Sequence, residues 1–152
     1  MERPLVVTDS DDSVIDVIRE AGELAEATGS QLTVLTVITS DEYQKDSDIL
    51  STIEDIEGVD YTMEPTTYAE EVASTAIADL LSDLNIETEA VGRAVDDDSD
   101  RADAIVEVAE TNNCDYIFLL GQRRTPTGKA IFGDTAQSVI LNFDEYVVTR
   151  SV

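Results

Sequence analysis

Short apolar, β-branched runs alternate with amphipathic segments along this chain, and that alternation leaves few folds open to it. PLVVTD (4–9) is a brief apolar run ending in turn residues. Val14, Val17, Ile18, Ala21, Leu24 and Ala25 then recur at helical spacing, with Gly29 placed to close the helix. LTVLTVI (32–38) reads as a second strand. Ala69, Val72, Ala73, Ala76, Ile77, Leu80, Leu81 and Leu84 mark a second helix, followed by a strand in IETEAVGRAV (86–95). Ile105, Val106 and Ala109 mark a third helix and Val139 with Ile140 a fourth. DYIFLLG (115–121) and EYVVTRSV (145–152) supply the last two strands.

Five short strands separated by helices pair in parallel through right-handed crossovers. The sequence therefore predicts an α/β fold in one domain spanning 1–152: a doubly wound, five-stranded parallel sheet with helices on both faces. Residues 39–65 interrupt the rhythm as a polar, variable surface segment, in which Ile49, Ile53 and Ile56 fit a short helix. Such sheets bind ligands beyond the carboxyl ends of their strands, where the strand order reverses. Asp9, Val37 and Gly121 fall on that edge.

Charge narrows the function. The chain carries 34 acidic and 9 basic residues among 152, a formal net charge of −25. The acids recur in nearly every segment, which predicts an acidic surface suited to a salt-rich cytoplasm, where screening shortens the Debye length to about 3 Å at 1 M. A surface of that kind repels nucleic acid and anionic membranes, and no apolar run is long enough to span a bilayer. Cytoplasmic location is expected, with no DNA partner and no membrane insertion. Cys114 is the single cysteine and there is no histidine. The thiol is expected to be a small buried hydrophobe, and Ser-His catalysis and most zinc sites are disfavoured, so no catalytic residue is assigned.

One stretch departs from this acidity. Residues 116–133 contain no acid, and Arg123, Arg124 and Lys129 lie within GQRRTPTGKAIFGD (121–134). A Walker loop is excluded: six residues separate Gly121 from Gly128, Ala130 stands where a magnesium-binding hydroxyl is needed, and Pro126 removes an amide. Asp9, Asp11, Ser13 and Glu20, and likewise Asp96, Asp98, Asp100 and Glu107, mimic calcium-loop spacing. Their sixth positions hold Val14 and Arg101 instead of glycine, so these acids read as solvated faces and helix caps. Asp9 suits either a cap on the turn into the first helix or a ligand contact.

A strand ending in Asp, the strand LTVLTVI, and DYIFLLG followed by a loop, a glycine and a helix together resemble the universal stress protein family, over essentially the whole chain. The resemblance implies a Rossmann-like dimer paired through the strand at 145–152, and a cytoplasmic sensor or regulator that binds ATP or another adenine nucleotide, with or without Mg2+. It places nucleotide contacts at Thr8, Asp9 and Ser10, at Val37 beside the adenine, at Gly121, Arg123, Arg124, Lys129 and Gly133 around the phosphates, and at Asp134 and Thr135. The family's G-x2-G-x9-G-[ST] signature matches here only at Gly133: Leu120, Arg123 and Asp134 occupy its other positions. Arg123 offers a bidentate phosphate grip in exchange for the lost glycine. Asp134, with Gln137 three residues on, reads as the N-cap of a capping-box-like turn that occupies the amides a phosphate would use. The alternative function is a ligand-free dimeric module regulating a partner protein such as a transporter. Slow ATP hydrolysis rests on family analogy alone.

Overall fold

The computed structural model describes residues 1–47, 63–124 and 130–150, with 122–124 and 130–132 described by their backbone. Strands β1 (Pro4–Val7), β2 (Leu32–Thr39), β3 (Thr88–Val95), β4 (Tyr116–Leu120) and β7 (Tyr146–Arg150) form one sheet in the order β3-β2-β1-β4-β7. Every pairing in it is parallel. This is the doubly wound sheet expected from the alternation of segments. Ile49, Ile53 and Ile56, and the last two residues of the expected final strand, lie outside the described residues.

Helices α1 (Val14–Thr28) and α3 (Pro65–Leu80) cover one face, packing on Val6, Val34 and Phe118. Helices α4 (Arg101–Thr111) and α5 (Asp134–Asn142) cover the other, over Leu5, Val7, Leu35, Ile117 and Leu119. Helix α2 occupies 40–47, up to the limit of the described residues. Because both faces are covered, all eight residues of β2 are buried, which is why its sequence is continuous rather than alternating. Among the described residues no helix is long and apolar enough to cross a membrane.

Local chemistry sets the boundaries. Gly29 adopts φ 68°, its amide donates to the Glu26 carbonyl at 3.3 Å, and Ser30 donates to Ala25 at 2.8 Å. That pair of bonds is the Schellman closure, available to glycine without a Cβ penalty. Pro65 starts α3, where its missing N–H costs nothing. At the amino edge of the sheet the Asp115 carboxylate accepts the Glu2 and Arg3 amides at 2.8 and 2.9 Å. Burial raises its pKa, and those bonds more than offset it, holding the group below the usual carboxylate range. Cys114 is buried as expected, and desolvation with the neighbouring Asp115 charge pushes its thiol up to about 11.

Candidate ligand-binding crevice

The chain lays β1, β2 and β3 outward in one direction and returns to place β4 and β7 on the other side of β1. The order therefore reverses between β1 and β4, and sheets of this kind take their ligands in the crevice beyond the carboxyl ends of the strands at such a point. Thr8 follows β1 there: its amide donates to Leu35 at 2.9 Å, and its hydroxyl lies 2.8 Å from that of Thr36. Asp9 is exposed and accepts the Asp11 amide at 3.0 Å, while Asp11 accepts the Ser13 amide at 2.9 Å. These are successive Asx turns leading into α1, so Asp9 performs the turn-capping role anticipated for it while remaining open to solvent. Ser10 is exposed beside it.

On the β4 side of this switch point, the residues flanking 125–129 pair with each other. Strand β5 (Gln122–Arg124) pairs antiparallel with β6 (Ala130–Phe132), with Arg123 opposite Ile131. Gly133 donates to the Gly121 carbonyl at 3.0 Å, closing the hairpin base, and Gly121 donates to Arg150 at 3.3 Å. Arg123 and Arg124 thus sit on β5; Lys129 lies outside the described residues. A Cβ on Gly121 would meet the Thr149 Cβ at 2.7 Å, so the close passage of β7 is itself a reason for glycine there.

The capping-box reading of Asp134 requires correction. Gly133, with extended φ −73° and ψ 145°, is the N-cap of α5, and its carbonyl accepts the Gln137 amide at 3.0 Å. Asp134 is the first helical residue and is exposed, with Thr135 next to it. A carboxylate there still favours the positive end of the helix, but it does so through the dipole rather than by filling the N-cap.

Val37 is buried in β2, so what it offers the crevice is backbone. Leu35 directs its carbonyl to Thr8, just past β1, and alternate residues of a strand point their N–H and C=O the same way. Val37 therefore presents both groups past the end of β1. Its carbonyl is engaged by a residue the sequence reading did not propose as a site: Arg101 Nη1 donates to it at 2.6 Å. Arg101 Nη2 also reaches Glu42 at 2.5 Å and Asp98 at 2.9 Å. Glu42 in turn accepts the Thr39 amide at 2.9 Å, while its own amide donates to the Thr39 hydroxyl at 3.2 Å, a capping box that starts α2. Desolvation works against both charges, yet the Thr39 amide and then Arg101 hold the Glu42 pKa below its ordinary value, and Glu42 with Asp98 raises that of Arg101. Of the acids expected to be solvated faces and helix caps here, Asp98 pairs with Arg101 and Glu107 with Arg93, while the capping side chain is the neighbouring Asp97, at the start of the short turn before α4. Asp97 accepts the Ser99 amide at 2.9 Å, and Asp100 accepts the Asp97 amide at 3.4 Å. The available signal for Arg101 was a lone cation inside DDDSDRAD.

The comparisons agree with this architecture. The sequence model of the universal stress protein family matches residues 1–148. A universal stress protein from Archaeoglobus fulgidus is 25% identical, with 98% of each chain covered and a TM-score of 0.64. A universal stress protein from the same organism in complex with dAMP is 20% identical over 98% of this chain and 97% of that one, TM-score 0.57. A further universal stress protein, whose structure is a complex with cAMP, is 20% identical over 98% of this chain and 95% of that one, TM-score 0.53. No curated protein matches the sequence significantly.

Proposed function

Since this chain belongs to the universal stress protein family, we propose that it binds an adenine nucleotide, ATP or AMP, in the crevice between β1 and β4 and serves as a sensor or regulator. The observation that carries this reading is the Gly121–Gly133 hydrogen bond, which closes a cation-bearing hairpin at the switch point of the sheet. Relatives in complex with dAMP and cAMP support it. In this reading Thr8, Asp9 and Ser10 hold the sugar or the adenine edge, and Val37 lines the adenine. Arg123, Arg124 and Lys129 neutralise the phosphates, and the α5 amino end, with Gly133 and Thr135, receives them. With no histidine in the chain and no side chain assigned as a catalytic base, turnover is not part of the proposal.

Asp134 is the residue that opposes binding. Two unit charges 4 Å apart at an effective dielectric of 20 repel by about 4 kcal/mol, and exposure and salt reduce this severalfold. Calorimetric titration with ATP and magnesium in 1 M potassium chloride is therefore expected to give saturable binding, about tenfold tighter for Asp134→Ser. Absence of binding in the folded wild type and the variant would sink the reading. An empty wild type with binding restored in Asp134→Ser would identify an abandoned site and favour an interaction module acting on a partner protein.

That second reading draws on the apolar side chains left open on β7 and α5: Leu141 is 75% and Tyr146 62% exposed, and Val148 is partly open. The same features support a homodimer through the C-terminal strand, whose outer backbone groups are those of a sheet edge. Sedimentation in 1 M potassium chloride is expected to give a dimer, and Val148→Lys a monomer; a monomeric wild type would overturn it. The acidic surface is best explained by residence in a salt-rich cytoplasm.

A further inference from the structure

We propose that Arg101 sets the base preference of the crevice by competing with a ligand's exocyclic amine for the Val37 carbonyl. The inference rests on the nucleotide reading above and adds to it a selectivity residue.

Val37 offers a donor and an acceptor side by side past the end of β1, where a planar heterocycle would meet them edge-on. Adenine presents the complement, a ring-nitrogen acceptor beside an amine donor. Arg101 alters that match. Its Nη1 already donates to the Val37 carbonyl at 2.6 Å, and the bonds from Nη2 to Glu42 and Asp98 fix the guanidinium in place. These bonds use three of its five N–H donors. An approaching amine therefore meets a second donor and a positive charge at the acceptor it needs. A 6-oxo purine brings an acceptor to the same place, which a remaining guanidinium N–H can satisfy. Its protonated ring nitrogen, however, opposes the Val37 amide. The two groups pull in opposite directions, and the crevice discriminates between 6-amino and 6-oxo purines less than the strand edge alone would.

Anchoring the start of α2 is the other work this side chain performs, through Glu42. A purely structural role would change stability, or the affinity for all nucleotides together. It would not change the ratio between two ligands that differ only at one edge of the base.

ATP and ITP form that pair. Both would be titrated calorimetrically, with magnesium in 1 M potassium chloride, into the wild type, Arg101→Met and Arg101→Lys, with folding verified by circular dichroism. Removing one charge-assisted competitor is expected to raise the ATP:ITP affinity ratio by about tenfold in Arg101→Met. Arg101→Lys, whose single ammonium cannot fork between Val37 and two carboxylates, should move the ratio in the same direction by a smaller factor, and it serves if the methionine variant fails to fold. Binding with an unchanged ratio in the folded variants overturns this inference alone. Binding of neither nucleotide by any of the proteins overturns the nucleotide reading and this inference with it.

Discussion

Gly92→Ala is expected to destabilise the domain by about 3 kcal/mol, toward the upper end of what overpacking costs, despite adding only one methyl group. Gly92 lies within β3, where the first turns of α3 cross the sheet. A Cβ built there would stand 2.5 Å from the Thr66 carbonyl oxygen and 2.9 Å from the Ala69 carbonyl carbon, and closer still to the Glu70 amide nitrogen. All three are helix backbone, so no rotamer change relieves the clash and the helix must move away from the strand. That displacement would open the contacts of Ala69 and Ala73, both fully buried, against the sheet. Replacing glycine by alanine in a strand otherwise gains roughly 0.5–1 kcal/mol in chain entropy, too little to compensate. Gly22 is the internal control. Its added Cβ would meet the Leu81 Cδ2 at 2.5 Å and the Leu84 Cδ1 at 2.9 Å, both ends of flexible side chains. Gly22→Ala is therefore expected to cost less than half as much. Urea unfolding in 1 M potassium chloride measures both; equal midpoints for Gly92→Ala and the wild type would mean that α3 does not rest on β3 at this point.

The contrast between these glycines shows which parts of the molecule the sequence discloses. Gly29 was legible because its role is local: a helical pattern ends there, and only a left-handed residue closes it. The eight buried residues of β2 and the apolar run of β4 were legible for a related reason, since burial on both faces leaves a continuous β-branched signature. Gly92 was not, because what makes it necessary comes from a helix more than 20 residues earlier. An isolated glycine inside a strand pattern was the signal, and it indicates close approach without saying by what.

The crevice divides in the same way. Asp9 and Gly121 were placed on the correct edge because strand ends can be read from hydropathy. The hairpin of β5 and β6 escaped notice because three-residue strands carry too little periodicity to register. Asp134 was offset by one position: helix capping depends on the φ and ψ of the preceding residue, and Gly133 takes the extended conformation itself. Arg101 was invisible as a site residue because its importance lies in where β2 ends relative to β1, a matter of register that no single segment contains.

The domain is expected to be unstable at low ionic strength and to gain several kcal/mol between about 0.01 M and 1 M potassium chloride, as the Debye length shortens from about 30 Å to 3 Å. The formal charge is −25. Among the described residues the ion pairs draw on Arg19, Arg93, Arg101 and Arg150, which together meet six carboxylates out of 34 acidic residues in the chain. With 34 acidic residues against 9 basic ones, most of the chain's negative charge is left uncompensated. A repulsion of only about 0.3 kcal/mol per uncompensated charge would total roughly 7 kcal/mol, comparable to the whole stability of an ordinary domain, about 5–15 kcal/mol. Screening also weakens the ion pairs, but exposed pairs contribute about 1 kcal/mol or less each, so relief of repulsion dominates. Urea, being uncharged, is the appropriate denaturant, and the unfolding midpoint should rise steeply with salt before levelling off. Neutralising three exposed acids by Glu20→Gln, Glu71→Gln and Asp103→Asn should raise the midpoint in dilute salt and leave it nearly unchanged in 1 M salt. A midpoint that stays flat or falls with salt would mean that hydration of the carboxylates, rather than their mutual repulsion, governs the stability of this surface.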